Sequence, residues 1–348
     1  MWYLKKCAQS KVFGKDKLRR LPLAFYCSCF SIRDSGWILR LDLEQLKFLK
    51  YKNPLVRELA WIIGSRPLMS EHGYCSVYQT LDDKWINDLL EESESFLVTL
   101  DLNSTPLRQW LEVRPSRLLG IRFESMLGFF FENHPRFEML ANNVQLKNGT
   151  QTVGEIDFIV NDLTHNRTLH VEVACKFYLS SKNSHQWNLW LGPNPNDTLK
   201  LKMDKMVDQL SITTRYWGKE YLQSQKFANP EPTLLMKGAF HHHYSMLGHA
   251  KHPKFSNTKY NSGWWCHQKE LKALNNVHIR WAELEKESWL CPQIRVIDET
   301  LDFECMQKLV DDHFSRSKRS ILLTCLFDED GFWIEHSRGF VVKNEWPG

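Results

Sequence analysis

Two short runs separated by a polar turn constrain this chain more than any other feature of it. The first is Gly154-Glu155-Ile156-Asp157-Phe158-Ile159-Val160, the turn spans 161–167, and the second run covers 169–179. Both runs alternate polar with apolar residues, the period-2 signature of half-buried strands, so they form a hairpin. Because side chains alternate along a strand, Glu155 and Asp157 share one face of the first. On the second, His170, Glu172, Ala174 and Lys176 face one way and Val171, Val173 and Cys175 the other. Placing the apolar set inward gathers acids, a histidine and a lysine on the opposite side. Two carboxylates on adjacent strands are the oxygen donors that a hard cation such as Mg²⁺ or Mn²⁺ takes. A lysine beside them is placed to orient or help activate a water for attack on phosphorus.

The elements around the hairpin follow from periodicity and punctuation. A helix is expected over 115–133, where Leu119, Phe123, Met126 and Phe130 recur at helical spacing. It carries Glu124, whose neighbours one turn away, Gly120 and Gly128, leave a face without bulk that can approach another element closely. Such an acid belongs either to a site or to the edge of a tight helix–strand contact. Residues 140–146 are a strand, 199–213 a helix capped by Asp197, and 234–240 a further strand. The C-terminal part adds a helix over 303–314 and a hairpin, 321–327 with 332–342, turned at Asp328-Glu329-Asp330-Gly331. The N-terminal third is mostly helical: Asn53-Pro54 opens one helix that stops at Gly64, and Thr80-Leu81-Asp82-Asp83 opens another.

An acid-bearing helix, a strand, a strand with Asp, a strand with Glu and Lys, a helix and a last strand make an order that resembles the PD-(D/E)XK nuclease superfamily. More closely, the chain resembles a bacterial family known only as a domain of unknown function and grouped within that superfamily. The residues carrying this are Leu119-Gly120 through Glu124, Gly154 to Phe158, Glu172 to Leu179, Leu191-Gly192-Pro193-Asn194-Pro195-Asn196-Asp197, Arg338-Gly339-Phe340-Val341-Val342 and Trp346-Pro347. It covers about residue 53 to the C-terminus. The resemblance implies an α/β fold with a PD-(D/E)XK (restriction-endonuclease-like) core, a mixed sheet flanked by helices, with helical N-terminal and α+β C-terminal additions. It implies Asp157 and Glu172 as ligands of Mg²⁺ (or Mn²⁺), Glu124 as an accessory acid and Lys176 as the catalytic lysine. One departure stands out: the common pattern puts the lysine two positions after its acid, where this chain has Ala174. Lys176 shares the face but lies ~13 Å from Glu172 along an extended strand at ~3.3 Å per residue. Its side chain folds back, or a bulge shortens the gap, or it has no part in catalysis.

With 348 residues the chain has room for a basic extension over 1–50 and a single domain over 51–348. Within that domain, 51–114 is the helical part, 115–240 the nuclease-like core and 241–348 the C-terminal part. The first twenty residues hold seven Lys and Arg against one Asp, yet the net charge is only +4, too mild to diagnose a nucleic-acid partner. No apolar run reaches spanning length, so no membrane is expected. Nine scattered cysteines without CxxC spacing read as free thiols in a reducing cytoplasm. His241-His242-His243, with His249, His252 and Cys266-His267 beyond, match no familiar zinc spacing and read as polar residues where a strand enters a loop. Trp187, Trp190, Trp264 and Trp265 are expected in packing before base stacking.

Two functions follow. One is a metal-dependent phosphodiesterase acting on nucleic acid, DNA before RNA. The other is a noncatalytic module that keeps the nuclease fold for binding nucleic acid or protein, for which Ala174 at the usual lysine position speaks.

Overall fold

Asn53 and Pro54 begin the first long helix as the punctuation predicts. A computed structural model, describing residues 43–70, 78–113 and 115–348, places the Asn53 side chain 3.0 Å from the Leu55 amide that donates to it. The basic extension expected over 1–50 lies outside the described residues as far as 42. Its last residues form a helical turn, α1 (Leu43–Leu46), followed by a tight turn that buries Phe48. Helices α2 (Pro54–Gly64), α3 (Asp83–Glu92), α4 (Glu94–Leu102), α5 (Thr105–Val113) and α6 (Leu119–Asn133) make up the helical part. Asp82, not Thr80, caps α3, because Thr80 is taken by a two-residue strand, β1 (Gln79–Thr80).

The hairpin forms as β3 (Gln151–Asp162) and β4 (Arg167–Ser180), with β2 (Phe137–Asn148) antiparallel to β3. A short β5 (Trp190–Leu191) pairs with the end of β4. Helix α7 (Leu199–Leu210) follows; its cap is Thr198, since Asp197 is engaged elsewhere. Then come α8 (Tyr216–Gln225), β6 (Glu231–His243), β7 (Ser262–His267), β8 (Arg280–Glu283), β9 (Ile294–Arg295), α9 (Phe303–Arg316), β10 (Ile321–Glu329) and β11 (Phe332–Val342). The strands join one mixed sheet of order β2-β3-β4-β6-β7-β11-β10-β8, with β1, β5 and β9 pairing off this path. Pairing is antiparallel at both ends and parallel from β4 through β6 and β7 to β11. The mixed α/β class read from the sequence is therefore the class observed.

β4 is buried on both faces rather than half-buried as its alternation predicts, because helices cover each side of the sheet where it pairs antiparallel with β3 and parallel with β6. Val171, Val173 and Cys175 pack under α2 and α6 with Phe123, Met126 and Phe130. Ala174 and Tyr178, on the other face, pack under α7 with Met203 and Met206. A third core fills the space between α9 and strands β7, β8, β10 and β11 around Trp264 and Trp281. Trp187, Trp190, Trp264 and Trp265 are all buried, so packing and not base stacking is their role.

One close approach sets the register beside the site. The β4–β6 pairing runs without interruption from Leu169↔Glu231 to Leu179↔His241, so no bulge brings Lys176 nearer to Glu172. Opposite Lys176 stands Gly238 at φ +133°, where a Cβ would lie 1.7 Å from the Lys176 carbonyl oxygen. Only glycine fits there.

Candidate functional site

The ladder between β3 and β4 ends at the pair Phe158↔Val171, one residue short of Asp157. Beyond it the strands fork, and side chains take over the hydrogen bonds the ladder gives up. The Asp157 amide donates to Glu172 Oε1 at 3.2 Å, and the Val173 amide donates to Asp157 Oδ2 at 2.9 Å. Each carboxylate thus crosses to the other strand, and the two sit side by side at the mouth of the fork. His170 Nε2 lies 3.0 Å from Glu172 Oε1, and its Nδ1 lies 3.4 Å from Thr213 Oγ1. Burial pushes His170 down to about 4, so its ring is neutral at physiological pH and bonds Glu172 without a full charge.

Burial, and next the charge of Glu172, pushes the Asp157 carboxyl up to about 7. Burial likewise pushes Glu172 up to about 7, against the amide bond from Asp157. Two carboxyls so close in a low-dielectric pocket do not readily both ionise, and the pair holds a proton toward neutrality. The lysine that answers them comes from α7. Lys202 is half-buried, with its pKa lowered by burial and by the Lys176 charge, while Asp157 and Glu172 raise it.

Lys176 is placed differently from the expectation drawn from the nuclease pattern. Its Nζ donates to Asp197 Oδ2 at 2.6 Å, tying β4 to the loop before α7. It remains close enough for its charge to act on Lys202. Glu124 is half-buried on α6, which packs on the sheet face opposite α7. One turn on, a Cβ at Gly128 would meet Asn142 and Phe158 at an ordinary 3.6 Å, whereas Gly120 faces open space. The stripe that carries Glu124 therefore runs toward Phe158, the neighbour of Asp157, but without the close approach expected of the two glycines.

The two carboxylates and His170 singled out in the sequence are thus brought together, whereas the sequence reading did not place Lys202 with them. A signal was present: Leu199, Met203, Met206 and Leu210 form the buried stripe of α7, and Lys202 borders it. A lysine at the edge of a buried stripe, on the helix following two acidic strands, is placed to reach the sheet.

A buried Glu172 beside a half-buried Asp157 and Lys202, on a mixed sheet covered by helices, defines an α/β protein with an ionisable site at a strand fork. The chain belongs to the family described as Domain of unknown function (DUF1853), whose pattern matches residues 57–342. No curated protein and no solved structure matches it. Among the described residues no helix is long and apolar enough to cross a membrane.

Proposed function

We propose that the chain is a divalent-metal-dependent phosphodiesterase of PD-(D/E)XK type acting on nucleic acid, DNA before RNA. The observation that carries this is the fork in which Asp157 and Glu172 stand together with Lys202 in electrostatic reach. The donor set fits Mg²⁺ or Mn²⁺: two carboxylates, both held up toward neutrality by burial, gain from a hard cation in place of a shared proton. A metal bound there supplies Lewis-acid polarisation of phosphate and a more acidic water.

The remaining work falls to the chain. Asp157 and Glu172 are the candidate ligands, and each is held in place by an amide of the neighbouring strand. His170 positions Glu172 by occupying the same oxygen that the Asp157 amide reaches. The Lys202 ammonium, partly stripped of water, faces the charge that develops on phosphorus oxygens, where such a donor is worth most. Lys176, joined to Asp197, stands at the rim and meets the nucleic-acid backbone. Glu124, an accessory acid by the resemblance alone, is carried on α6 across the sheet from α7 and takes no step in this proposal.

The test is hydrolysis of single-stranded, duplex and branched DNA by the purified chain with Mg²⁺ or Mn²⁺. Asp157→Ala is expected to abolish turnover, and Lys202→Met to lower it by about 100-fold or more, the scale of losing one aimed donor. Lys176→Met is expected to weaken DNA binding more than turnover. Hydrolysis that depends on Lys176 but not on Lys202 would reverse the assignment of the lysine. Retained DNA binding with no hydrolysis under any metal would favour the noncatalytic module.

A further inference from the structure

The histidines that match no zinc spacing in the sequence are brought together by the parallel pairing of β6 and β7. His243 and His267 are the last residues of these strands, and Glu270 lies in the short 3₁₀ turn that follows, Gln268–Leu274. His243 pairs in register with Trp265, and His267 lies two positions further on the same face. We propose that His243, His267 and Glu270 form a second metal site, of the His₂Glu kind that takes Zn²⁺ or a similar transition-metal ion.

Three observations carry it. First, one ligand atom from each residue lies within 4.8 Å of the other two. His243 Nε2 and His267 Nδ1 stand 3.1 and 2.9 Å from Glu270 Oε2. Tetrahedral ligands ~2.1 Å from one ion are about 3.4 Å apart, so the group has only to open by a few tenths of an ångström.

Second, the outer nitrogens are already committed. His267 Nε2 lies 3.0 Å from the carbonyl of Trp346, an acceptor only, so Nε2 carries the hydrogen and Nδ1 presents a lone pair to Glu270. Carboxylate and ring nitrogen stand 2.9 Å apart, and that nitrogen also accepts the Glu270 amide in a reciprocal capping box, a donor that an ion bound there would displace. His243 Nδ1 lies 2.7 Å from Ser245 Oγ, which fixes that ring with Nε2 turned inward. Such outer partners set the ring orientation at metal-binding histidines. The Glu270 carboxylate also accepts the His267 amide at 2.8 Å, closing the first turn of the 3₁₀ segment, so it is anchored before any ion arrives.

Third, the surroundings suit a bound ion. The rings of Trp265 stand 4.7 Å from His243 and 5.2 Å from His267, walling one side with apolar surface. The three side chains are still 20–25% exposed, which leaves a way in and an open fourth position. Two imidazoles and one carboxylate select a borderline ion over Mg²⁺, unlike the all-oxygen pair at Asp157 and Glu172. The two sites also lie on opposite faces of the sheet, since Trp265 belongs to the core under α6 and Glu172 faces α7.

The experiment is a titration of the full chain, stripped of metal, with Co²⁺ and then Zn²⁺. Expected is one Co²⁺ per chain with the visible absorption of a four-coordinate site, displaced by Zn²⁺ and untouched by Mg²⁺. His243→Ala and Glu270→Gln should each raise at least tenfold the Co²⁺ concentration needed for the four-coordinate absorption, while Asp157→Asn should leave that absorption unchanged. Failure of that last control alone would place the metal at the other site and overturn the proposal. So would the absence of uptake at micromolar Co²⁺ by the parent chain, which leaves a proton-shared hydrogen-bond cluster. Where an alanine variant loses its circular dichroism, Glu270→Asp and the parent titration decide: retained but shifted cobalt absorption supports the site, and an unchanged spectrum overturns it.

Discussion

Carboxyls held above their ordinary range destabilise the fold when they must ionise, and Asp157 and Glu172 are two of them. The sign follows from proton uptake. A carboxyl that folding raises from about 4 to about 7 binds its proton more tightly when folded, so its contribution is present below pH 4 and is lost as pH rises through 7. In the presence of EDTA, the stability of the chain should therefore fall between pH 5 and pH 8. Asp157→Asn keeps an oxygen for the Val173 amide and gains an NH₂ group for Glu172, while losing the charge. It should be more stable than the parent by on the order of 1–3 kcal/mol at pH 8 and by less at pH 5. Urea unfolding of both proteins at the two pH values, with and without Mg²⁺, measures this. Glu58 is also raised to about 7 by burial and contributes a similar slope to both proteins, so only the difference between them reports on the fork. An equal gap at both pH values would mean that Asp157 is not repelled by its neighbour, and the metal proposal would lose its electrostatic ground.

At the scale of elements, what was legible in the sequence was what local pattern specifies. The Asn53-Pro54 start of α2, the alternation of β3 and β4, and the β10–β11 turn over Asp328–Gly331 all depend on residues within a few positions of one another. β7 was not legible. Its six residues, Ser-Gly-Trp-Trp-Cys-His, do not alternate, because β6 and β11 flank it in parallel and both of its faces are buried. The signal that makes it a strand lies far away along the chain. The same holds for the candidate site: two acids on a hairpin are visible locally, whereas the partners of Lys202 and Lys176 are set by where α7 and the Asp197 loop fold back. A similar long-range device anchors the other end of β3, where the Arg136 guanidinium holds both oxygens of the buried Asp162 at 2.9 Å and Glu92 of α3 at 2.7 Å. Arg136→Met leaves the buried Asp162 with only His165 at 3.0 Å and Arg167 at 3.8 Å, and a loss of about 3 kcal/mol is expected in urea unfolding. Gly238→Ala should cost about 3 kcal/mol or more, since its Cβ meets backbone and its φ is strained for any L side chain. That variant also parts β4 from β6 beside Lys176, so altered DNA binding with normal Arg136 packing would be its particular signature.

For the molecule as a whole, the sheet decides which pieces can stand alone. The described residues belong to one compact unit. The nuclease-like core expected over 115–240 ends inside β6, which runs to His243 and donates its other edge to β7. β7 in turn pairs with β11, so the last strand of the chain lies two places from β6, the outer strand of that core. The apolar surface agrees: Phe177 of β4 packs on Trp289 and Phe340, and Trp265 packs on Trp346. Cutting after residue 240 would remove Trp289 and Phe340, uncover Phe177 and leave the edge of β6 without β7, and fully burying one such side chain is worth roughly 1.5–3 kcal/mol. That loss, added to the unpaired strand edge, is a large share of the stability of an ordinary domain, about 5–15 kcal/mol. A fragment of residues 51–240 is therefore expected to aggregate or to lack the near-ultraviolet dichroism of packed tryptophans, while 51–348 unfolds in one cooperative step with the same midpoint by fluorescence and by circular dichroism. A folded, monomeric 51–240 fragment that keeps divalent-metal binding at Asp157 and Glu172 would show instead that the C-terminal strands are an addition to a self-sufficient core. The family match, which runs on to residue 342 at the end of β11, accords with the cooperative outcome.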